Sequence, residues 1–203
     1  NIVNWWVRGN HDDTGAWQAT IDYWPGPHGT GKLRSNINLL PRVRYFSKFD
    51  LNFLVVGGAV SIDKDYRLNL EKRTGPRTLW WPDEAISDVD VATALFTRGE
   101  REIDILLSHE CSDFTPWQDR LKPDVDSQEN RRKLDEIIRN TKPKMHFHGH
   151  MHTKYEWVNS ASHGFYTPDE PDAVSTRTYG LECNLEGMPY RTGETLDNWI
   201  LFD

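Results

Sequence analysis

The sequence predicts an α/β fold, and three observations carry that prediction. Short apolar runs of strand character recur, and each ends in polar residues able to do chemistry. Helical periodicity lies between those runs. The C-terminal third has strand-like runs with no helices between them.

Taken in chain order, Val3 to Val7 is the first run and leads into Gly9-Asn10-His11-Asp12. Asp12, Asp13 and Thr14 can cap a helix with Trp17, Ile21 and Trp24 on one face. Leu51 to Val56 is the next apolar run and leads into Gly57-Gly58. Pro82-Asp83-Glu84 then suits a helix start, followed by Ala85, Ile86, Val89, Ala92, Leu95 and Phe96 at helical spacing. Ile103 to Leu107 runs into Ser108-His109-Glu110. Asp126 and Ser127 can cap a helix carrying Leu134, Ile137 and Ile138, with Pro143 just past its end. Lys144 to His148 runs into Gly149-His150. The four runs that end in reactive residues read as buried strands. Lys154 to Val158, Thr176 to Cys183 and Trp199 to Phe202 read as strands of a more antiparallel sheet or sheet edge.

The chain has 203 residues, room for one domain with its own core, and no linker or repeat divides it. No apolar run approaches the roughly 18 residues of a membrane span. The balance of 24 basic and 31 acidic residues, net -7, disfavours a long nucleic-acid track and leaves nucleic acid conceivable only as a substrate. Two cysteines, Cys111 and Cys183, cannot build a disulfide scaffold. With no targeting pattern at the start, the expectation is a cytoplasmic protein.

Eight histidines carry the sharpest signal. His146, His148, His150 and His152 alternate at period two, which in one unbroken strand would face them all the same way. Gly149 can break the strand and turn His150 and His152 toward the sheet rim. Open α/β sheets bind ligands at that rim, where Asn10, His11, Gly58, His109, His150 and His152 could converge. His28 and His163 read as ordinary packed or surface residues, and His146 as a strand residue beside the site.

Gly9-Asn10-His11-Asp12, the strand-terminal His109, and Gly149-His150-Met151-His152 occur in that order, 99 and then 41 residues apart from Asn10 to His109 to His150. The set resembles the last three of five signature motifs of the calcineurin-like metallophosphoesterases, of the bacterial and phage type. The resemblance implies an αββα sandwich of two mixed sheets flanked by helices. It also implies two divalent transition-metal ions, Mn, Fe, Zn or Co, and hydrolysis of phosphomonoester or phosphodiester bonds. The reaction would be in-line attack by a metal-bridging hydroxide. Asn10, His109 and His150 match ligands of one metal, and His152 a ligand of the other. His11 matches the residue beside the scissile phosphate, with Asp12 expected to accept a hydrogen bond from its ring.

The family's two upstream motifs, including the carboxylate that bridges the metals, do not occur in this sequence. The expectation is therefore a C-terminal portion of the domain, lacking its N-terminal strands, completed by a preceding segment or a second chain. The alternative is a catalytically impaired metal-binding or partner-binding module on the same scaffold.

The remaining residues read two ways. Ser61 and Asp63, after Gly57-Gly58, either shape a substrate site or belong to a turn that needs glycine. Arg67 or Arg73 could grip a substrate phosphate, while the cluster with Lys64, Lys72 and Arg77 could equally be a solvated face. Trp5-Trp6 and Trp80-Trp81 either stack a nucleobase or pack a core. Glu110 and Asp113 could bias metal or water, while Asp119, Arg120 and Lys122 read as loop surface.

Overall fold

In the computed structural model, the described residues are 2–75, 78–115, 124–159 and 175–181. Two mixed sheets and four α-helices account for most of them. The smaller sheet holds β1 (Asn4–Trp6), β2 (Gly31–Arg34) and β3 (Ile37–Leu39), in the order β1-β3-β2. β1 pairs parallel with β3, and β2 antiparallel. The larger sheet holds β4 (Val43–Lys48), β5 (Leu51–Val56), β6 (Ile105–Ser108), β7 (Met145–His148), β8 (Tyr155–Asn159) and β9 (Thr176–Gly180). Its order is β4-β5-β6-β7-β9-β8, with β5, β6, β7 and β9 parallel and antiparallel pairs at both edges.

The alternation of side chains along β5 shows why two layers form. Leu54 and Val56 join Leu106, Ile86, Val91, Ala94, Leu134, Ile137 and Ile138 in a core against helices α3 (Asp88–Arg98) and α4 (Val125–Thr141). Val55 points the other way and packs with Leu40 and Phe46, against Trp5, Val7 and Leu107. A strand apolar on both faces must be covered on both. On the far side of the small sheet lies α1 (Thr14–Tyr23), tied on by the Trp17 indole N–H, which donates to the Leu40 carbonyl at 2.8 Å. The layers therefore run helices, large sheet, small sheet, helix.

Helix starts follow capping chemistry and differ in detail from the sequence reading. Asp13 caps α1 as expected, but Trp24 sits at its end, exposed. The helix expected from Pro82 begins instead at Asp88. Ser87 and Asp90 form a reciprocal capping box there, while Glu84 is drawn into a tertiary contact. On α3, Val91 and Ala94 are buried, while Val89 and Phe96 face solvent. Asp124, two residues earlier than expected, caps α4 by accepting from Ser127 N–H at 2.7 Å. Of the basic cluster after Gly58, Lys64, Arg67, Lys72 and Arg73 lie on helix α2 (Lys64–Thr74), which buries no residue. The expected strand at 199–202 and Cys183 lie outside the described residues. Among the described residues no helix is long and apolar enough to cross a membrane.

Because β5, β6 and β7 are parallel and nearly in register, the segments after Val56, Ser108 and His148 leave the sheet at one rim. The segment after β1 is joined to that rim by Gly58 N–H, which donates to the Arg8 carbonyl at 2.9 Å.

Candidate metal centre

Three of these rim segments supply the centre. The turn after β1 is closed by Asp12, whose Oδ2 accepts from Gly9 N–H at 2.7 Å. Gly9 lies against the His109 imidazole, and a Cβ there would stand 2.9 Å from Nε2, so glycine permits the approach. Asn10 is buried. Its Nδ2 donates to Ser61 Oγ at 2.9 Å, which aims Oδ1 at His109 Nε2, 3.1 Å away.

The orientation of that amide is enforced from behind. Glu84, buried at 4% exposure, accepts from Ser61 N–H at 2.7 Å and from Ser61 O–H at 2.6 Å. With its proton committed to Glu84, Ser61 Oγ can only accept from Asn10. The Glu84–Ser61–Asn10 chain therefore fixes the amide oxygen toward His109. Ser61 is thus a buried support of the centre. Glu84 is a residue the sequence reading placed in a helix start, and nothing in the local sequence separates it from an ordinary first-turn acid.

His150 completes the group, its ring centroid 5.2 Å from that of His109. Burial and neighbouring histidines hold His109 down to about 3 and His150 to about 4, so both imidazoles are neutral and keep a lone pair. His152 lies on the same turn, exposed. Both His150 and His152 have positive φ, 63° and 52°, an uncommon backbone state for such residues.

His11 is exposed, and its Nε2 lies 2.9 Å from Arg67 Nη2. Arg67, from the first turn of α2, also donates from Nε to Asp63 Oδ1 at 2.9 Å. Burial and then the Arg67 charge lower the His11 pKa, while the Arg67 bond holds Asp63 low against its own burial. The expected bond from His11 to Asp12 is replaced, since Asp12 closes the Gly9 turn instead. Arg73 stands exposed in the last turn of α2 and makes no hydrogen bond or ion pair among the described residues.

Other singled-out residues fall outside the centre. Glu110 is wholly buried and accepts from Asn130 Nδ2 and Cys111 N–H. Asp113 pairs with Arg131 of α4 at 3.0 Å. Trp5 and His28 pack with Phe46, and the Lys64 ammonium lies over the Trp80 ring at 4.4 Å. Packing occupies Trp5, while Trp6 is exposed, so the packing reading of that pair holds for Trp5 alone. Asp119, Arg120, Lys122, Arg77 and His163 lie outside the described residues.

Among the described residues, no group of three or more His, Cys, Asp or Glu side chains is gathered in a way that could hold a metal. The gathered donors are two neutral imidazoles and one amide oxygen. That set suits one borderline divalent ion, with the imidazole of His152 on the same turn. The family model of the calcineurin-like phosphoesterases matches residues 1–154. No curated protein matches the chain.

Proposed function

We propose that this chain, which belongs to the calcineurin-like phosphoesterase family, hydrolyses phosphate esters at the rim where Asn10, His109 and His150 meet. Metal-dependent phosphoester hydrolysis is the family's chemistry. The observation that carries the reading is the convergence of an amide oxygen and two neutral imidazoles from three separate segments. Asn10 Oδ1, His109 and His150 would hold one divalent ion, and His152 would serve a second. Ions there would supply Lewis-acid polarisation of phosphoryl oxygens and activation of water.

The chain's own residues do the rest. Arg67, aimed by Asp63, offers a planar guanidinium to two phosphoryl oxygens. A phosphate is a stronger partner for that group than the neutral His11 ring it now touches. His11 stands one hydrogen bond away, placed to stabilise charge on the same phosphoryl group or, once it has taken up a proton, to pass it to the leaving oxygen. Asn10 is kept in its ligating orientation by Ser61 and Glu84.

The test is divalent-metal-dependent hydrolysis of aryl phosphate mono- and diesters by the full chain. Arg67→Ala is expected to raise KM by about 10–100-fold, the worth of hydrogen bonds to a charged group. Arg73→Ala is expected to change nothing. Equal effects of the two substitutions would remove Arg67 from the site. The rival reading, a metal- or partner-binding module, draws on the lack of a carboxylate among the gathered described donors. It predicts metal uptake without turnover.

A further inference from the structure

The alternating histidines of β7 that the centre does not use have a definite arrangement. His148 is almost wholly buried. Its Nδ1 lies 2.8 Å from the Gly149 carbonyl, which can only accept, so Nδ1 carries the proton. Nε2 is then a lone pair, and it accepts from the Tyr155 hydroxyl at 2.5 Å. His146, wholly buried two residues earlier, is wired the opposite way. Ser108 O–H donates to the Glu110 carbonyl at 2.6 Å, so Ser108 Oγ must accept from His146 Nε2–H at 2.8 Å. Thr178 Oγ1 faces His146 Nδ1 at 3.5 Å.

We propose that His146 and His148 are positioning residues, each passing a hydrogen bond from the sheet to a carbonyl that fixes a ligand-bearing turn. The proposal rests on the reading of His109 and His150 as metal ligands. The Ser108–Glu110 bond spans His109 and sets its direction of exit from β6. The Gly149 carbonyl takes a second bond from Met151 N–H at 2.7 Å, and Met151 O accepts from Thr153 Oγ1 at 3.1 Å. These bonds hold a turn with two non-glycine residues at positive φ, a conformation that persists only where surroundings over-determine it. Tyr155 reaches His148 because position 180, paired with it across β8 and β9, is glycine. A Cβ at Gly180 would overlap the Tyr155 ring.

The experiment has two readouts on the full chain. Long-range proton–nitrogen NMR of the wild-type histidines is expected to show His148 protonated at Nδ1 and His146 at Nε2. Finding the reverse tautomer at His148 overturns the proposal whatever the variants do. Cobalt(II) is then titrated into wild type, Tyr155→Phe and Ser108→Ala, followed by its visible absorption. Each variant is expected to bind about 10–100-fold more weakly, the usual cost of losing a group that orients a metal ligand. Wild-type affinity and spectrum in both variants would overturn the positioning role alone. Failure of wild type to bind cobalt(II) would overturn the ligand reading and this one with it.

Discussion

Replacing His11 by glutamine is expected to lower kcat for the proposed phosphate-ester hydrolysis by about 10²–10⁴-fold, the span for loss of a positioned proton-transfer group. Metal uptake is expected to stay at the wild-type level. The separation follows from where His11 stands. It is exposed, its hydrogen bond is to Arg67, and it belongs to no packed cluster, so its loss leaves no cavity. Glutamine can still accept from the Arg67 guanidinium through Oε1, which keeps Arg67 and Asp63 in place. What disappears is the imidazole alone. Steady-state kinetics with an aryl phosphate, alongside metal analysis of the same samples, reads both quantities. A kcat within severalfold of wild type would mean that the ring takes no part in the reaction.

The largest expected effect on stability lies behind the centre, where α4 meets the loop after β6. Arg131 is buried, and its Nε donates to Asp113 Oδ1 at 3.0 Å while Nη1 donates to Ser127 Oγ at 2.6 Å. Asp113 N–H and Ser112 O–H donate in turn to Asp135 Oδ1. Arg131→Met leaves Asp113 as a buried charge whose remaining cation is the Arg132 side chain at 3.9 Å. The expected cost is about 3–5 kcal/mol in urea denaturation. Replacing Arg131 and Asp113 together by apolar residues is expected to cost far less, since no charge is then stranded.

The same network sets a pH dependence. Burial pushes Asp135 up to about 7, against an ordinary value of 3.8. A carboxyl raised in this way binds its proton more tightly folded than unfolded. Its stabilising contribution is complete below about pH 4 and is lost as pH rises through about 7. Asp135→Asn keeps an oxygen acceptor without the charge, so it gains on wild type as pH is raised from 5 to 8. A constant difference between the two proteins over that range would mean that Asp135 is not protonated in the folded state.

β5, β6 and β7 are legible because each is largely buried, which leaves a continuous apolar run in the sequence, whereas β1, expected to be a buried strand too, is mostly exposed at the edge of the small sheet. Leu51–Val56 coincides with β5, and the runs before His109 and Gly149 fall within two residues of β6 and β7. β2 and β3 were not legible, being three or four residues long, with Lys32, Leu33 and Arg34 exposed. β3 takes its strand character from pairing with β1, a long-range contact that local pattern does not encode, and β2 takes its own from pairing with β3. α2 was read as a charge cluster for a related reason: with no buried face it has no apolar period.

The centre divides along the same line. Asn10, His109 and His150 follow strands or strand-like runs, so order and spacing reveal them. Glu84 and the Arg67–His11 contact depend on the fold closing separations of 23 and 56 residues. Glu84 also explains the misplaced helix start, because a side chain committed to Ser61 cannot serve the first turn of α3. The bond from His11 to Asp12 is an expectation of the family resemblance, not of local pattern. The turn geometry turns Asp12 inward to Gly9 N–H.

Asn10, His109 and His150 are proposed as a metal centre that hydrolyses phosphate esters. The most direct measurement is divalent-metal content together with aryl phosphate hydrolysis, for wild type and His109→Ala in parallel. His109 has an ordinary backbone and lies at the middle of the group, so its truncation removes a donor without relieving turn strain. Stoichiometric metal uptake and turnover are expected in wild type, and loss of both in His109→Ala with the fold retained. Unchanged uptake and unchanged rate in His109→Ala would contradict the proposed centre.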